Sequence, residues 1–139
     1  MTSPEHYYKN FLENMTKNNV DELSIYITKS VKFSDPFHDV TGNDKMIGVF
    51  VNMFENFSNV EFKVVDEANN NMITFWKWRL AASFRGSELK IEGTSFLKFD
   101  KHGLVLEHID YWDAASLFYE RLPIIGLLLG HIRRRIARL

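Results

Sequence analysis

The apolar residues of this chain change their spacing once, at about Ser58. Upstream they recur every three or four residues, the period of an amphipathic helix, as in Met46, Ile47, Phe50, Met53, Phe54 and Phe57. Downstream they alternate with polar residues, the period of a strand with one buried face. This order predicts an α+β domain in which three helices precede a four-strand antiparallel meander.

The upstream part carries signals for where its helices begin. Pro4 suits the first position of a helix, Asn19 can cap a second helix, and Gly42 precedes the third. Between the second and third helices, residues 31–34 are expected to form a short strand. The helices are therefore expected before the sheet, with one short strand among them.

The size and composition of the chain indicate one domain with an apolar core. It has 139 residues, of which 45% are hydrophobic, and it contains twelve Phe. The absence of cysteine excludes a disulfide scaffold, a thiolate metal site and a cysteine nucleophile. We expect the domain to span residues 1–116 and a C-terminal tail to span residues 117–139.

The last predicted strand places ionisable groups on its inner face. Leu104 and Leu106 share their parity with His108, Asp110 and Trp112, and the two leucines assign that parity to the interior. A buried carboxylate must be paired, hydrated in a cavity, or shifted in pKa. A His108–Asp110 pair that satisfies a core is one interpretation. Two such groups beside Trp112 favour the other, a pocket.

A second candidate site is the Asp-Pro step near the short strand. Pro36 holds Asp35 in an extended conformation at a strand end, so its carboxylate could serve either as a turn cap or as a catalytic group. His38 and Asp39 follow, and we expect them to be solvated loop residues rather than ligands.

At this point the chain resembles the nuclear transport factor 2-like superfamily, in particular its SnoaL-like and ketosteroid isomerase-like branch. The resemblance covers residues 5 to about 116 and rests on the order and spacing of several segments, namely residues 18–23, 31–37, 96–103 and 108–113. It implies a cone-shaped roll in which a bent sheet wraps around the helices, with a pocket at one end and an extra C-terminal helix here.

The resemblance implies only part of the isomerase's catalytic set. The isomerase's general base, an Asp before Pro, matches Asp35. Its oxyanion tyrosine matches Phe11, which has no hydroxyl, and its oxyanion aspartate matches Ser95. Because losing one oxyanion donor slows such a reaction about a hundredfold or more, the resemblance speaks against steroid isomerisation itself.

Other acid/base reactions fit the remaining groups. Asp35 and Asp110 facing each other across the cavity, with His108 beside them, could move a proton during isomerisation or cyclisation, or activate water for hydrolysis. The related limonene epoxide hydrolases use an Asp-Arg-Asp set, but Arg79 has outward parity here. The ligand is expected to be a small hydrophobic molecule held by Phe11, Phe50, Trp76, Trp78, Leu80, Gly93, Ser95 and Trp112.

Two rival functions remain open, and no cofactor is expected. The domain could bind a hydrophobic ligand without catalysis, or it could bind a protein partner through the outer face of the sheet. Outward charges such as Lys77 and Glu92 are compatible with a polar homodimer contact through that face. His108 and Asp110 could chelate a metal, but without a second inward histidine we expect no metal site.

The C-terminal tail combines apolar and basic residues. Five of the 17 basic residues and none of the 18 acidic ones lie in residues 121–139, so the rest of the chain is acidic. Pro123 is expected to interrupt or restart the helix. A helix packed on the domain or on a dimer mate is one interpretation, and a helix on a membrane surface is the other. Nucleic acid is not expected, because the body is acidic and the basic patch short.

The opening residues bear on the compartment. They lack a basic segment followed by an apolar one, so no signal peptide is visible. We therefore expect a cytoplasmic protein, with a peripheral place at a membrane if the tail binds lipid.

Overall fold

A computed structural model of the protein describes residues 3–117 and 125–138. The bounds of the helices are α1 Pro4–Glu13, α2 Asn43–Asn56, α3 Ala114–Leu117 and α4 Ile125–Ala137, with a 3₁₀ helix at Val20–Ile25. Pro4 stands at the start of α1, as predicted. Gly42 precedes α2 with φ 111°, a conformation that favours glycine.

Six strands form one curved, open sheet in the order β2-β1-β6-β5-β4-β3. Their bounds are β1 Ile27–Asp35, β2 His38–Thr41, β3 Ser58–Asn70, β4 Ile73–Phe84, β5 Ser87–Phe99 and β6 Val105–Trp112. All neighbours are antiparallel except β1 and β6, which run parallel. The predicted α+β class, with helices against a curved sheet and an extra C-terminal helix, is confirmed.

The first two strands differ from the prediction. The expected second helix is only a 3₁₀ helix, and the chain enters β1 at Ile27 instead of continuing a helical stripe. The β-branched Ile27, Thr28 and Val31 favour a pleated strand over a helix. A two-residue turn then returns the chain as β2, with Asp35 paired to His38. The sheet therefore has six strands. Its one parallel pair, β1 and β6, places a strand from the first part of the chain beside the last strand.

A one-residue bulge changes the parity of β6 near its start. Phe99 pairs with Val105 but Lys98 pairs with Glu107, so β6 contains one extra residue. Val105 is consequently fully buried, and the parity predicted from Leu104 and Leu106 holds only beyond the bulge.

Aromatic rings fill the core between α1 and the inner face of the sheet. Tyr8 and Trp76 are each 1% exposed, and their rings stack with centroids 5.7 Å apart. Phe11 stacks on Tyr26 with centroids 4.7 Å apart. Each such pair contributes about 0.5–1.5 kcal/mol beyond the area it buries. This end of the roll is closed, and the open space lies towards α2.

The C-terminal segment starts from a capped turn. Hydrogen bonds from the Ser116 hydroxyl and backbone N–H lower the pKa of Asp113, which caps α3. The helix α4 contacts α3, and the buried residues of α4 are Gly126 and Gly130. Most of its large apolar side chains are exposed, and Leu129 is half-buried. Whether this helix packs on a dimer mate or on a membrane surface stays a prediction.

Two predictions about the C-terminal segment stay predictions. The interruption at Pro123 lies outside the described residues, and the boundary between residues 116 and 117 falls inside α3. Within residues 3–117 and 125–138, the helices are all too short or too polar to cross a bilayer.

Candidate functional site

A cavity of about 520 Å³ opens between the helices and the inner face of the sheet. Its wall is mostly apolar and includes Phe33, Phe50, Phe62, Trp78, Leu80 and Ile91. Four ionisable residues from β1, β2 and β6 also line it, namely Asp35, His38, His108 and Asp110. The other polar lining residues, Glu13, Asn52 and Asn56, come from the C-terminal ends of α1 and α2.

The parallel pairing of β1 and β6 brings the two aspartates together. Phe33 pairs with His108 and Ser34 with Ile109, so Asp35 and Asp110 follow at the next position on adjacent strands. A second, more open cleft of about 480 Å³ is also lined by both aspartates. Asp35 and Asp110 are therefore neighbours at one end of the cavity, and do not face each other across it as predicted.

His108 is held from both sides by hydrogen bonds. The Tyr8 hydroxyl lies 2.8 Å from Nδ1, and Nε2 lies 2.8 Å from Oδ1 of Asp110. Burial, and to a lesser extent the nearby charge of Asp110, raises the pKa of Tyr8 well above its ordinary value, so this hydroxyl keeps its proton. When the Tyr8 hydroxyl donates to Nδ1 of a neutral ring, the ring proton is on Nε2 and is donated to Asp110.

A second chain of hydrogen bonds reaches Asp110 from the sheet. Nε1 of Trp78 donates to Oγ of Ser95 over 2.8 Å. Because an indole N–H can only donate, the Ser95 hydroxyl proton is directed to Oδ1 of Asp110, 2.5 Å away. Oδ1 thus accepts from both His108 and Ser95, and among the described residues Oδ2 accepts no hydrogen bond. Asp110 is fixed through one oxygen and presents the other.

Asp35 forms a pair with His38 across the β1–β2 turn. Its Oδ1 accepts from the backbone N–H groups of Phe37, at 2.8 Å, and His38, at 2.7 Å. Nδ1 of His38 lies 2.9 Å from the same oxygen. With Nδ1 as the donor, Nε2 carries the free lone pair of a neutral ring. His38 is half-buried and lines the cavity, whereas the sequence suggested a solvated loop residue.

The predicted site residues divide into those that line the cavity and those behind its wall. The first group comprises Asp35, His108, Asp110, Phe50, Trp78, Leu80 and Trp112. The second comprises Phe11, Trp76, Gly93 and Ser95. Phe11 and Trp76 are occupied in aromatic stacks of the core, Gly93 lies under the ring of Trp78, and Ser95 bonds to Trp78 and Asp110.

Two side chains that form hydrogen bonds with the ionisable groups of the site were not predicted from the sequence. Tyr8 belongs to an apolar helical stripe, and its hydroxyl in that stripe was the available signal for a buried polar partner. His38 stands three residues after Asp35, and the intervening Pro36 indicates a turn tight enough to bring the two together. Both signals can be read from neighbouring residues. Whether Tyr8 and His38 belong to the site, however, depends on which strand packs or pairs beside them in the fold.

A cationic side chain or a group of metal ligands beside the cavity would widen its chemistry. Arg79 points outward, where its Nε lies 3.2 Å from Oε1 of Glu92, as its parity predicted. Within the described ranges, no three His, Asp or Glu side chains are grouped so that they could hold a metal ion. The chemistry available in the cavity is therefore that of carboxylates, imidazoles and an apolar wall.

Known proteins with the same fold are found both by sequence family and by structural superposition. The family model of the SnoaL-like domain matches residues 8–108. Among curated proteins, no sequence matches the chain. A protein of Shewanella putrefaciens, named for its likeness to SnoaL polyketide cyclases, superimposes with a TM-score of 0.67 at 16% identity, covering 79% of this chain and 87% of that one.

Two further solved structures show the same architecture. A limonene-epoxide-hydrolase-like (LEH-like) enzyme of M. tuberculosis gives a TM-score of 0.68 at 15% identity, covering 96% of this chain and 93% of its own. A protein of Catenulispora acidiphila with a ketosteroid isomerase-like fold, in complex with trimethylamine, gives 0.69 at 13% identity over 84% and 91%. At these identities the likeness shows the fold alone.

Proposed function

This chain belongs to the SnoaL-like domain family, and from that premise and the geometry of its cavity we propose that it binds a small hydrophobic molecule and transforms it by acid/base chemistry. The family's fold hosts cyclases, isomerases and epoxide hydrolases, so the fold itself does not select a reaction. One observation carries the proposal: all four ionisable groups from the strands gather at one end of a mostly apolar cavity.

The class of ligand follows from the size and lining of the cavity. A volume of about 520 Å³ lies within the usual range for small-molecule sites. The wall offers aromatic and aliphatic surface from Phe33, Phe62 and Ile91, and no lysine or arginine within residues 3–117 and 125–138 lines it. A compact apolar molecule with one polar function near Asp110 suits this arrangement better than a phosphate ester or a carboxylate.

The proton-transfer groups of the proposal are Asp110 and His38. Oδ2 of Asp110 is a carboxylate oxygen that accepts no hydrogen bond from the described part of the chain, on a side chain fixed by His108 and Ser95. Nε2 of His38 is the corresponding acceptor of a ring that Asp35 holds. The group that accepts a proton from the ligand or from a water returns that same proton to another atom of the product, which serves isomerisation, cyclisation and hydrolysis alike.

The positions implied by the isomerase resemblance support a reaction other than steroid isomerisation. Phe11 packs in the core, and the Ser95 hydroxyl proton is directed to Asp110. Neither residue offers a donor to a developing oxyanion in the cavity, so the proposed chemistry depends on the carboxylate and imidazole groups.

A non-catalytic binding protein is the second candidate, and one observation favours it. Oδ1 of Asp35 and both ring nitrogens of His108 are engaged in hydrogen bonds within the protein. A site that only binds would use these groups to hold its wall together. The two candidates share the ligand class and differ in what the free oxygen of Asp110 does.

The first experiment is native mass spectrometry of the protein purified from its own cell extract. A native mass that exceeds the denatured mass identifies the retained molecule and gives a substrate to test. Asp110→Asn should then abolish turnover while the ligand still binds, since the amide keeps the shape but cannot accept the proton. The control is Asp39→Asn, an exposed aspartate on β2, which should leave turnover unchanged.

Two results would contradict the proposal. If no molecule is retained and a panel of small apolar compounds fails to raise the melting temperature, the cavity is not a ligand site. If the ligand binds but is returned unchanged by both the native protein and Asp110→Asn, the binding protein replaces the enzyme.

A further inference from the structure

The helix α4 carries an exposed apolar stripe. Its members are spaced by one, three or four residues and fall on one side of the helix, namely Ile125, Leu128, Leu129, Ile132 and Ile136. Ile125 is 52% exposed, Leu128 60%, Ile132 45% and Ile136 62%, whereas Leu129, towards one edge of the stripe, is half-buried. A soluble domain rarely leaves such a continuous apolar surface uncovered, so the stripe is expected to be covered by something.

Basic residues surround the stripe at the C-terminal end of α4. Arg133 and Arg135 fall at its two edges at about 3.6 residues per turn, and Arg134 falls on the opposite side. Arg138 follows directly after the helix, and the sequence of residues 121–139 contains no Asp or Glu. Long arginine side chains can extend beside an apolar surface while their guanidinium groups stay in a polar layer.

We propose that α4 lies on an anionic lipid surface, with the stripe in the acyl boundary and the arginines among the headgroups. This placement accounts for both the apolar stripe and the arginines, because the apolar residues leave water and the cations contact lipid phosphates. α4 itself, within the described ranges, is not long and apolar enough to cross the bilayer. It therefore lies in the plane of the surface and brings the acidic body to it.

The charge of α4 disfavours the alternative of a second copy covering the stripe. Two paired α4 helices would bring two groups of arginines together, and α4 itself contains no Asp or Glu, although Arg133 already interacts with the nearby Asp113. Nucleic acid would neutralise the arginines but leave the stripe in water. The surface that satisfies both features is apolar inside and anionic outside. This inference does not rest on the proposed function of the cavity.

The test is co-sedimentation of the full chain with vesicles of one part phosphatidylglycerol to two parts phosphatidylcholine. The chain offers a matched pair of variants in adjacent leucines. Leu128 belongs to the stripe, whereas Leu127 is 74% exposed and lies on the other side of the helix. Leu128→Ser should lower the vesicle partition coefficient by about tenfold or more, and Leu127→Ser by less than about twofold, since only one of these side chains enters the lipid.

The charge requirement has its own control. Arg133→Gln combined with Arg135→Gln should weaken binding by about tenfold or more, because each cation at an anionic surface contributes several-fold. Lys77→Gln combined with Lys98→Gln removes equal charge from exposed positions on the sheet and should change it little. High salt, or vesicles of pure phosphatidylcholine, should weaken binding of the native chain to a similar degree.

Three results would overturn the inference. The first is that the native chain does not sediment with the anionic vesicles. The second is that both leucine variants lose binding equally. The third is that sedimentation velocity without lipid shows a dimer that Leu128→Ser dissociates, because a second copy then covers the stripe. Because α4 is exposed, these variants are expected to leave the circular dichroism of the domain unchanged.

Discussion

The indole ring of Trp78 lies directly against the backbone of Gly93 on the neighbouring strand. A Cβ at Gly93 would lie 2.6 Å from Cζ2 and 2.8 Å from Cη2 of that ring, and 2.8 Å from the backbone oxygen of Tyr111. The glycine thus leaves room for the ring, whose Nε1 donates to Ser95. Through Ser95 the same contact fixes Asp110, so a residue without a side chain determines the position of the carboxylate.

Gly93→Ala should therefore destabilise the fold and move Trp78. The methyl group meets a ring and a backbone oxygen, and such overpacking costs about 1–3 kcal/mol. Urea unfolding followed by tryptophan fluorescence would measure both the lower free energy of unfolding and the altered native spectrum. Gly48→Ala is the control: nothing lies within 4 Å of its Cβ, and alanine in α2 should stabilise by about 0.5–1 kcal/mol. Equal effects of the two changes would contradict the steric account.

Tyr8→Phe should destabilise the protein through the loss of one hydrogen bond. The change leaves Nδ1 of the buried His108 without its donor, which costs about 1–3 kcal/mol. Tyr111→Phe removes a hydroxyl from a ring that is 59% exposed and should cost almost nothing. Thermal or urea unfolding of the two variants side by side checks this difference, and a neutral Tyr8→Phe would mean that the hydrogen bond contributes no net stability.

The same hydroxyl makes stability depend on alkaline pH. Burial raises the pKa of Tyr8 well above 10.0, so the folded state holds this proton where the unfolded chain releases it. Below pH 10.0 both states are protonated and the free energy of unfolding is unaffected; above it, stability falls by up to about 1.4 kcal/mol per pH unit. The decline should be shallower in Tyr8→Phe, as urea unfolding at several alkaline pH values would show. Parallel curves for the two proteins would contradict the assigned shift.

Filling the cavity should separate ligand binding from folding. Ala82 is 3% exposed and lines the cavity, so Ala82→Leu places a larger side chain into open space without breaking a core contact. We expect the protein to stay folded and ligand affinity to fall about tenfold or more, since the volume is then occupied. Ala81→Leu, at the adjacent position of opposite parity, is the matched control for calorimetry or thermal shift. Unchanged affinity in Ala82→Leu would place the ligand elsewhere.

Several features of the fold were accessible from the sequence because they depend on local patterns. The switch in period near Ser58 predicted the strands, and strand parity placed Trp78, Leu80 and Asp110 on the cavity wall. The parity of β6 was correct from His108 onward. It was wrong near Leu104, because a bulge adds a residue that no alternation of apolar residues reveals.

The early strands were harder to predict for a related reason. Residues 27–35 form β1, which pairs in parallel with β6, a strand that lies far along the chain. A strand that depends on a distant partner leaves only a weak local pattern, and its first residues resemble the end of a helix. The same pairing placed Asp35 beside Asp110, where reasoning from sequence had set them opposite each other.

By itself, the sequence determined the α+β class, the inward face of the central strands and the gathering of apolar and basic residues in the tail, because each is set by spacing within one segment. Only the tertiary structure decided that Tyr8 supports His108, that Ser95 and Gly93 stand behind the wall, and that the stripe of α4 is uncovered. Those relationships join residues far apart in the chain. Hydrogen bonds and steric contacts act over a few ångströms, so they exist only once folding has brought their partners together.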